Sequence, residues 1–373
     1  MKYSSTNHAA GRPPVKRLKL LAYLRGLILS GKLPPGAKLP SHEELERRFH
    51  ATSATVQESL NTLHRAGFVE MQHRRGTFVT AYPPHRCHYA LAFPRKLEEV
   101  GTQFYTALRK EGLRLQGAKC RISVFHEIEE HVDVEDYQRL LGFVEAHALA
   151  GLIFATNPYY LRLEGSPLVT EPDLPRVAIQ KTDAGITYPT VYPDGHAFLP
   201  KALDYLAARG HRRVALLGGI NNVDDAFCQG AAARGLIARP YWIQSIPVEK
   251  PDCARHVMHL LMHAGKDERP DALIISDDNL VESATAGLVD AGVRVPQDLE
   301  VIAHTNFPWP TPSAVSVKRL GYDVRQLISL CLERLAQQRR GEIPPMHTAV
   351  PPIFEEEFQQ SLSVSVTEKE CVV

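Results

Sequence analysis

From His88 onward, short apolar β-prone runs alternate with amphipathic helical stretches, and no other feature of the chain narrows its fold so far. The spacing predicts strands at Tyr89–Phe93, Lys119–Phe125, Leu152–Ala155, Val177–Gln180, Val214–Leu217, Tyr241–Ile246, Ala272–Ser276 and Leu299–Ala303. It predicts helices at Glu99–Lys110, Glu135–His147, Ala197–Arg209, Ala254–His263 and Leu280–Ala291. Apolar strands separated by helices imply parallel sheets covered on both faces, an α/β architecture whose ligands bind beyond the carboxyl ends of the strands. At 373 residues the chain exceeds what one core supports, so more than one compact unit is expected.

Charge divides the chain unevenly. Residues 1–85 carry 13 Lys and Arg against 5 Asp and Glu, a net of +8, and the remainder carries 30 against 37, a net of −7. A small basic module on an acidic body points to a polyanion partner for the first part only. The six cysteines are scattered, without CxxC or zinc-ligand spacing, so free thiols in a reducing cytoplasm and no metal are expected. Leu18–Leu29 has the apolarity of a signal-peptide core, but Lys19 and Arg25 interrupt it and no small-residue cleavage site follows. No apolar run is long enough to span a bilayer.

Within the basic module, residues 1–14 read as a loose polar arm. Leu18, Leu21, Leu24 and Ile28 recur at helical spacing until Ser30-Gly31. Lys32–Gly36 forces a turn before a short extended piece, Ala37–Leu39. Ser41 and Glu44 have capping-box spacing for a second helix to about Phe49. After a turn at His50–Thr52, Val56, Leu60 and Leu63 mark a third helix ending near Gly67. Phe68–Met71 and Thr77–Thr80 then form a hairpin tipped by His73, Arg74 and Arg75, cations placed for a phosphate backbone or minor groove. Three helices and such a hairpin make a small α+β winged helix-turn-helix.

The runs GKLPPGAKLPSHEELERRF (Gly31–Phe49), ATSATVQESLNTLHRAGFVE (Ala51–Glu70) and GTFV (Gly76–Val79) resemble the GntR-type DNA-binding domain. The resemblance implies that the third helix enters the major groove of operator DNA while the wing holds the neighbouring groove. The implied contact set is Ser41, Thr52, Ser53, Thr55, Gln57, His73, Arg74, Arg75, Gly76 and Thr77. Ser53 and Gln57 stand where that family often has arginine, and Glu43 where a phosphate-contacting arginine is common. Because Arg reads guanine whereas Gln pairs with adenine, the operator is expected to differ from the usual half-site.

In the body, ALDYLAARGHRRVALLGG (Ala202–Gly219), RPDALIISDDNL (Arg269–Leu280) and AGVRVPQDLEVIAHTNFP (Ala291–Pro308) resemble the LacI/GalR effector domain, which shares the type I periplasmic-binding-protein fold. This implies two lobes over 88–356, with crossovers near Asp194, Lys318–Gly321 and Pro345–Thr348, and with the helix Tyr322–Arg340 in the first lobe. Residues 81–87 are expected as a proline-containing linker, and 357–373 as a frayed polar tail. A GntR-type head on a LacI-type body resembles the arabinose-responsive repressor type.

Carried over residue by residue, the effector candidates are Asp278, aligned with a hydroxyl-binding Asp that could equally N-cap its helix, Asn306 in a loop that is usually acidic, and Phe227 in place of a gripping arginine. Gln180 replaces a common Asp, and Phe93, Phe104 and Trp309 are candidates to stack on a sugar ring or to pack. The expected partners are operator DNA, a sugar-like effector and a second copy of the chain, with no cofactor. The rival readings are an exported solute-binding protein and an enzyme. The head opposes the first. Against the second, there is no Walker A loop, GxSxG, HExxH or aminotransferase-type lysine, and His196, His211 and His304 are isolated along the chain.

Overall fold

The computed structural model describes residues 15–95, 102–128, 134–156, 163, 165–180, 188–219, 224–263, 265 and 268–370, and they divide into two compact units.

The first unit starts with α1 (Val15–Leu29), α2 (His42–Phe49) and α3 (Ser53–Arg65), followed by the hairpin β1 (Val69–Gln72) and β2 (Gly76–Val79). α1 buries Leu20, Leu21, Leu24 and Ile28, whereas Leu18, expected on that face, is exposed. It ends at Gly31, whose φ of 76° closes the helix at little steric cost. Leu45, Val56, Leu60, Leu63, Phe68 and Val79 complete the core.

Within residues 81–87, Pro84–Cys87 make a helical turn, α4, with Pro84 and Cys87 buried and His85 stacked on Phe68 at 5.8 Å. The unit also takes in Gly117–Arg121 and Leu141–Gly151, and Ala148 lies in the same core.

His88 is buried here, edge-on to Phe143 at 5.0 Å, with Nδ1 3.2 Å from the Ala148 carbonyl. Burial first, and the charge of Arg121 second, push its imidazole down to about 4. Unfolded, this group takes a proton as pH falls through about 6.5; folded, it resists until about 4. The unfolded state therefore binds more protons in that window, and stability falls there as acid is added, by about 3 kcal/mol in all. Melting curves at pH 7 and 4.5 should show a smaller acid loss for His88→Leu than for the unaltered chain. Equal losses would remove His88 as the cause.

The second unit holds nearly all of two six-stranded sheets, the first residues of β3, β4 and β5 belonging to the first unit. The chain lays down β3 (His88–Ala92), α5 (Gln103–Arg114), β4 (Arg121–Phe125), α6 (Glu135–Glu145), β5 (Gly151–Phe154), α7 (Pro167–Thr170), β6 (Arg176–Ala178) and β7 (Thr190–Pro193). It crosses at Asp194 into α8 (Gly195–Ala208), β8 (Val214–Gly218), α9 (Asp224–Ala232), β9 (Ile243–Ser245), α10 (Asp252–Met262), β10 (Ala272–Ile275), α11 (Val281–Asp290), β11 (Glu300–Phe307) and β12 (Lys318–Asp323). It returns with α12 (Val324–Arg339) and β13 (His347–Val350), then finishes with β14 (Ile353–Phe354) and α13 (Glu355–Glu370). The first sheet runs β13-β7-β6-β5-β3-β4 and the second β14-β12-β11-β10-β8-β9. β8, β9, β10, β11 and β12 pair in parallel, and β14 joins β12 antiparallel. β5, β8 and β10 are buried along their whole length, as strands covered on both faces must be.

All eight expected body strands have counterparts, although Tyr241–Ile246 is shortened because Pro240–Trp242 forms a 3-10 turn. Gly117 and Cys120 exchange backbone hydrogen bonds in a turn, so β4 starts at Arg121 rather than Lys119. The strands β7, β12, β13 and β14 were not foreseen, and three of them carry or adjoin the crossovers. The second crossover falls after Asp323, which N-caps α12. The frayed tail is corrected as well. Residues 355–370 are helical, with Phe358 stacked on Phe307 at 4.7 Å and Glu356 and Glu357 each paired with a lysine at 2.7 Å. Three glutamates in the first turn also suit the positive end of the helix dipole.

Candidate nucleic-acid interface and effector cleft

Side-chain caps and a left-handed turn orient the two helices of the head. The Ser41 hydroxyl accepts from the Glu44 N–H at 3.2 Å, His50 turns the chain with φ of 46°, and the Thr52 hydroxyl accepts from the Thr55 N–H at 3.3 Å. α3 buries Val56, Ser59, Leu60 and Leu63 and exposes Ser53, Ala54 and Gln57 near its N-terminus, where helix N–H groups point outward. Gln57 donates to Asn61 Oδ1 at 2.9 Å and lies 3.8 Å from Met71 Sδ, so its amide is oriented before any base is met. Glu58 is neutralised by Arg65 at 2.6 Å and Arg17 at 3.5 Å.

In the wing, Val69 pairs with Val79 and Gln72 with Gly76, leaving His73, Arg74 and Arg75 exposed at the tip. Arg74 has φ of 60° and Gly76 φ of 112°. A Cβ on Gly76 would lie 2.9 Å from Lys38 Cε. Lys38, which the sequence reading did not single out, pairs with Phe78 along the hairpin, and its amine and the Arg75 guanidinium each lie 5.9 Å from the Phe78 ring. The signal for it was the extended Ala37–Leu39 piece, whose pairing partner only the fold supplies.

In the second unit a cavity of about 540 Å³ opens where strand carboxyl ends from both sheets converge. From the first lobe come Phe104, Tyr105, Gln180 and Tyr192, and from the second Ser276, Asp277, Asp278, Asn279 and His304. Asp278, 3% exposed, accepts from Asn306 Nδ2 at 2.5 Å, while its other oxygen lies 3.7 Å from His304 Nδ1. Gln180 Oε1 accepts from the Thr156 hydroxyl at 2.7 Å. Aromatic rings beside carboxylate, hydroxyl and amide groups can hold a molecule with apolar faces and many hydroxyls. No lysine or arginine occurs among the described lining residues.

Of the effector candidates, Phe104, Gln180 and Asp278 line this cavity. Asn306 stands one layer behind, fully buried, holding Asp278. Phe93 is also behind, edge-on to Tyr105 at 5.5 Å and stacked with His126 at 5.4 Å. Phe227 lies inside the second lobe's apolar core and is not among the described residues lining the cavity. Trp309 is outside the lining, with the Lys110 amine 5.4 Å from its ring. The helix cap considered for Asp278 belongs to Asp277, which accepts from the Asn279 N–H at 3.0 Å. Tyr105, Tyr192, Asn279 and His304 were missed: their strand ends and loops are distant in sequence and only the fold collects them.

Comparison with known proteins matches two separate stretches of the chain. Residues 16–79 match the family of bacterial regulatory proteins called the gntR family, and residues 203–356 match the periplasmic binding protein-like domain. An arabinose metabolism transcriptional repressor of Geobacillus stearothermophilus is 23% identical over 370 residues, covering 88% of this chain and 94% of its own. Its counterpart in Halalkalibacterium halodurans is 20% identical, covering 86% and 90%. Among solved structures, a LacI family regulator from Arthrobacter in complex with lactose superposes with a TM-score of 0.56 at 15% identity, over 72% of this chain and 97% of the other. A LacI family regulatory protein from Chloroflexus aggregans gives 0.54 at 18%, over 72% and 96%. The chain carries a gntR-family DNA-binding head and a periplasmic-binding-protein-like body, the composition of a transcription regulator.

Proposed function

We propose that the chain is a repressor that inserts the N-terminal end of α3 into the major groove of its operator, with Ser53, Thr55 and Gln57 nearest the bases. The wing residues His73, Arg74, Arg75, Gly76 and Thr77, joined by Lys38, lie along the phosphates. Ser41 and Thr52, already engaged as caps, present helix N-termini to the backbone. A sugar or sugar derivative held between Phe104, Gln180 and Asp278 changes the grip on DNA; the two arabinose metabolism repressors that the chain resembles make arabinose and other neutral sugars the first probes. The observation that carries this reading is the buried Asp278 carboxylate facing a cleft at converging strand ends, on a chain whose other unit bears a cationic wing.

No catalytic role is assigned to any residue. The described cysteines form no disulfide, and no described helix is long and apolar enough to cross a membrane.

The test is a titration of the purified chain with genomic DNA fragments at several salt concentrations. Sequence-selective binding that weakens steeply with salt is expected, because phosphate contacts release counterions. Binding that is absent or indifferent to salt would refute the reading.

The working form is a homodimer, since one winged helix reads too few base pairs and such operators mirror a twofold protein. Light scattering should give twice the chain's 41.6 kDa on DNA; a monomer both free and bound would exclude it.

A further inference from the structure

At the rim of the cleft one backbone N–H is satisfied by the opposite lobe. α5 begins at Gln103, and the first N–H groups of any helix lack an intrahelical partner. Thr102 caps Tyr105, its hydroxyl accepting at 3.3 Å. The Gln103 N–H instead donates to Asn279 Oδ1 at 2.8 Å, across 176 residues of sequence. Asn279 is oriented from its own side: its Nδ2 donates to Asp277 Oδ1 at 2.8 Å and its backbone N–H to the same oxygen at 3.0 Å. A flipped amide would set donor against donor at Gln103 and acceptor against acceptor at Asp277, so a single orientation satisfies both lobes. Two turns along α5, and on the same helix face as Gln103, Lys110 lies over Trp309, which follows β11 of the second lobe.

We propose that Asn279 is an interlobe latch, gripping the N-terminus of α5 and setting how far the lobes are closed before any effector arrives. The proposal rests on the two-lobed effector reading. A ligand that needs the closed form binds with an apparent affinity reduced in proportion to the closed fraction, so this one amide tunes sensitivity through that fraction.

Hydrogen exchange on the full chain without ligand tests it independently of whether any sugar binds. The Gln103 amide, which in an unlatched helix would exchange freely, should be protected at least tenfold. Asn279→Ala should abolish that protection and leave the Tyr105 amide unchanged. Gln103→Pro removes the same hydrogen bond from the other lobe while keeping the helix, because proline suits the first helical position and Thr102 already has the extended ψ of 127° that a following proline requires. Both variants should enlarge the radius of gyration in solution scattering by the same amount, with no further increase when combined. Free exchange at Gln103 in the unaltered chain, an unchanged radius in either variant, or additive effects would each overturn the latch.

Discussion

With Arg74 and Arg75 both replaced by alanine, affinity should fall about 10- to 100-fold for operator and unrelated duplex alike, and the slope of log affinity against log salt should shrink by about 2. Each arginine is expected to hold one phosphate, a charged hydrogen bond worth about 1 kcal/mol or more. Both are exposed, and Arg75 lies beside the Phe78 ring, so the loss should come from DNA contacts and not from folding. Gln57→Ala is the informative contrast. It should relax preference at one base pair by about 1–3 kcal/mol and leave binding to unrelated DNA in place, and it also releases the Asn61 carbonyl that Gln57 now engages. Anisotropy titrations with a selected fragment and a scrambled duplex measure both. If the double arginine variant keeps both affinities, the hairpin is not a DNA-binding wing.

Asp278→Ala should abolish the effector response, lowering sugar affinity at least about 100-fold, because two hydroxyl hydrogen bonds to a carboxylate together contribute about 3 kcal/mol. It should also lower the melting temperature, since the buried Asn306 amide loses its acceptor at a cost of about 1–3 kcal/mol. Asp278→Asn, which keeps an acceptor for Asn306, separates the two effects: stability should largely return while the sugar response stays weak. DNA binding without effector should persist in both, because Asp278 lies in a different compact unit from the head. By linkage, operator DNA must shift sugar affinity by the factor with which sugar shifts DNA affinity. A thermal-shift screen of neutral sugars followed by titration of the hit provides the measurement. A sugar that stabilises the unaltered chain and Asp278→Ala equally would place the site elsewhere.

Local patterns in the chain were legible where chemistry acts over a few residues. The Ser41 cap, the turn at His50–Thr52, the α3 face of Val56, Leu60 and Leu63, and the apolar runs of β5, β8 and β10 all follow from spacing and side-chain type. The resemblances placed the first crossover at Asp194, put the second and third a few residues early, and assigned α12 to the first lobe.

What sequence could not reach depended on partners far along the chain. The 3.5-residue rhythm of α1 fits Leu18 as well as Leu20, and only the docking of α1 on α3 decides that Leu20 is inside. β7, β12 and β13 are short and partly polar, and they become strands because a neighbouring strand offers its free backbone groups. The polar tail is helical because Phe307 gives Phe358 a surface to stack on. The effector site shows the division most clearly. The resemblance marked Asp278 and Gln180 as effector candidates. That Asn306 supports Asp278 from behind, that Phe227 belongs to the core, and that Asn279 reaches an N–H in the other lobe were settled by tertiary packing, because a hydrogen bond or a buried ring is defined by the atoms opposite it.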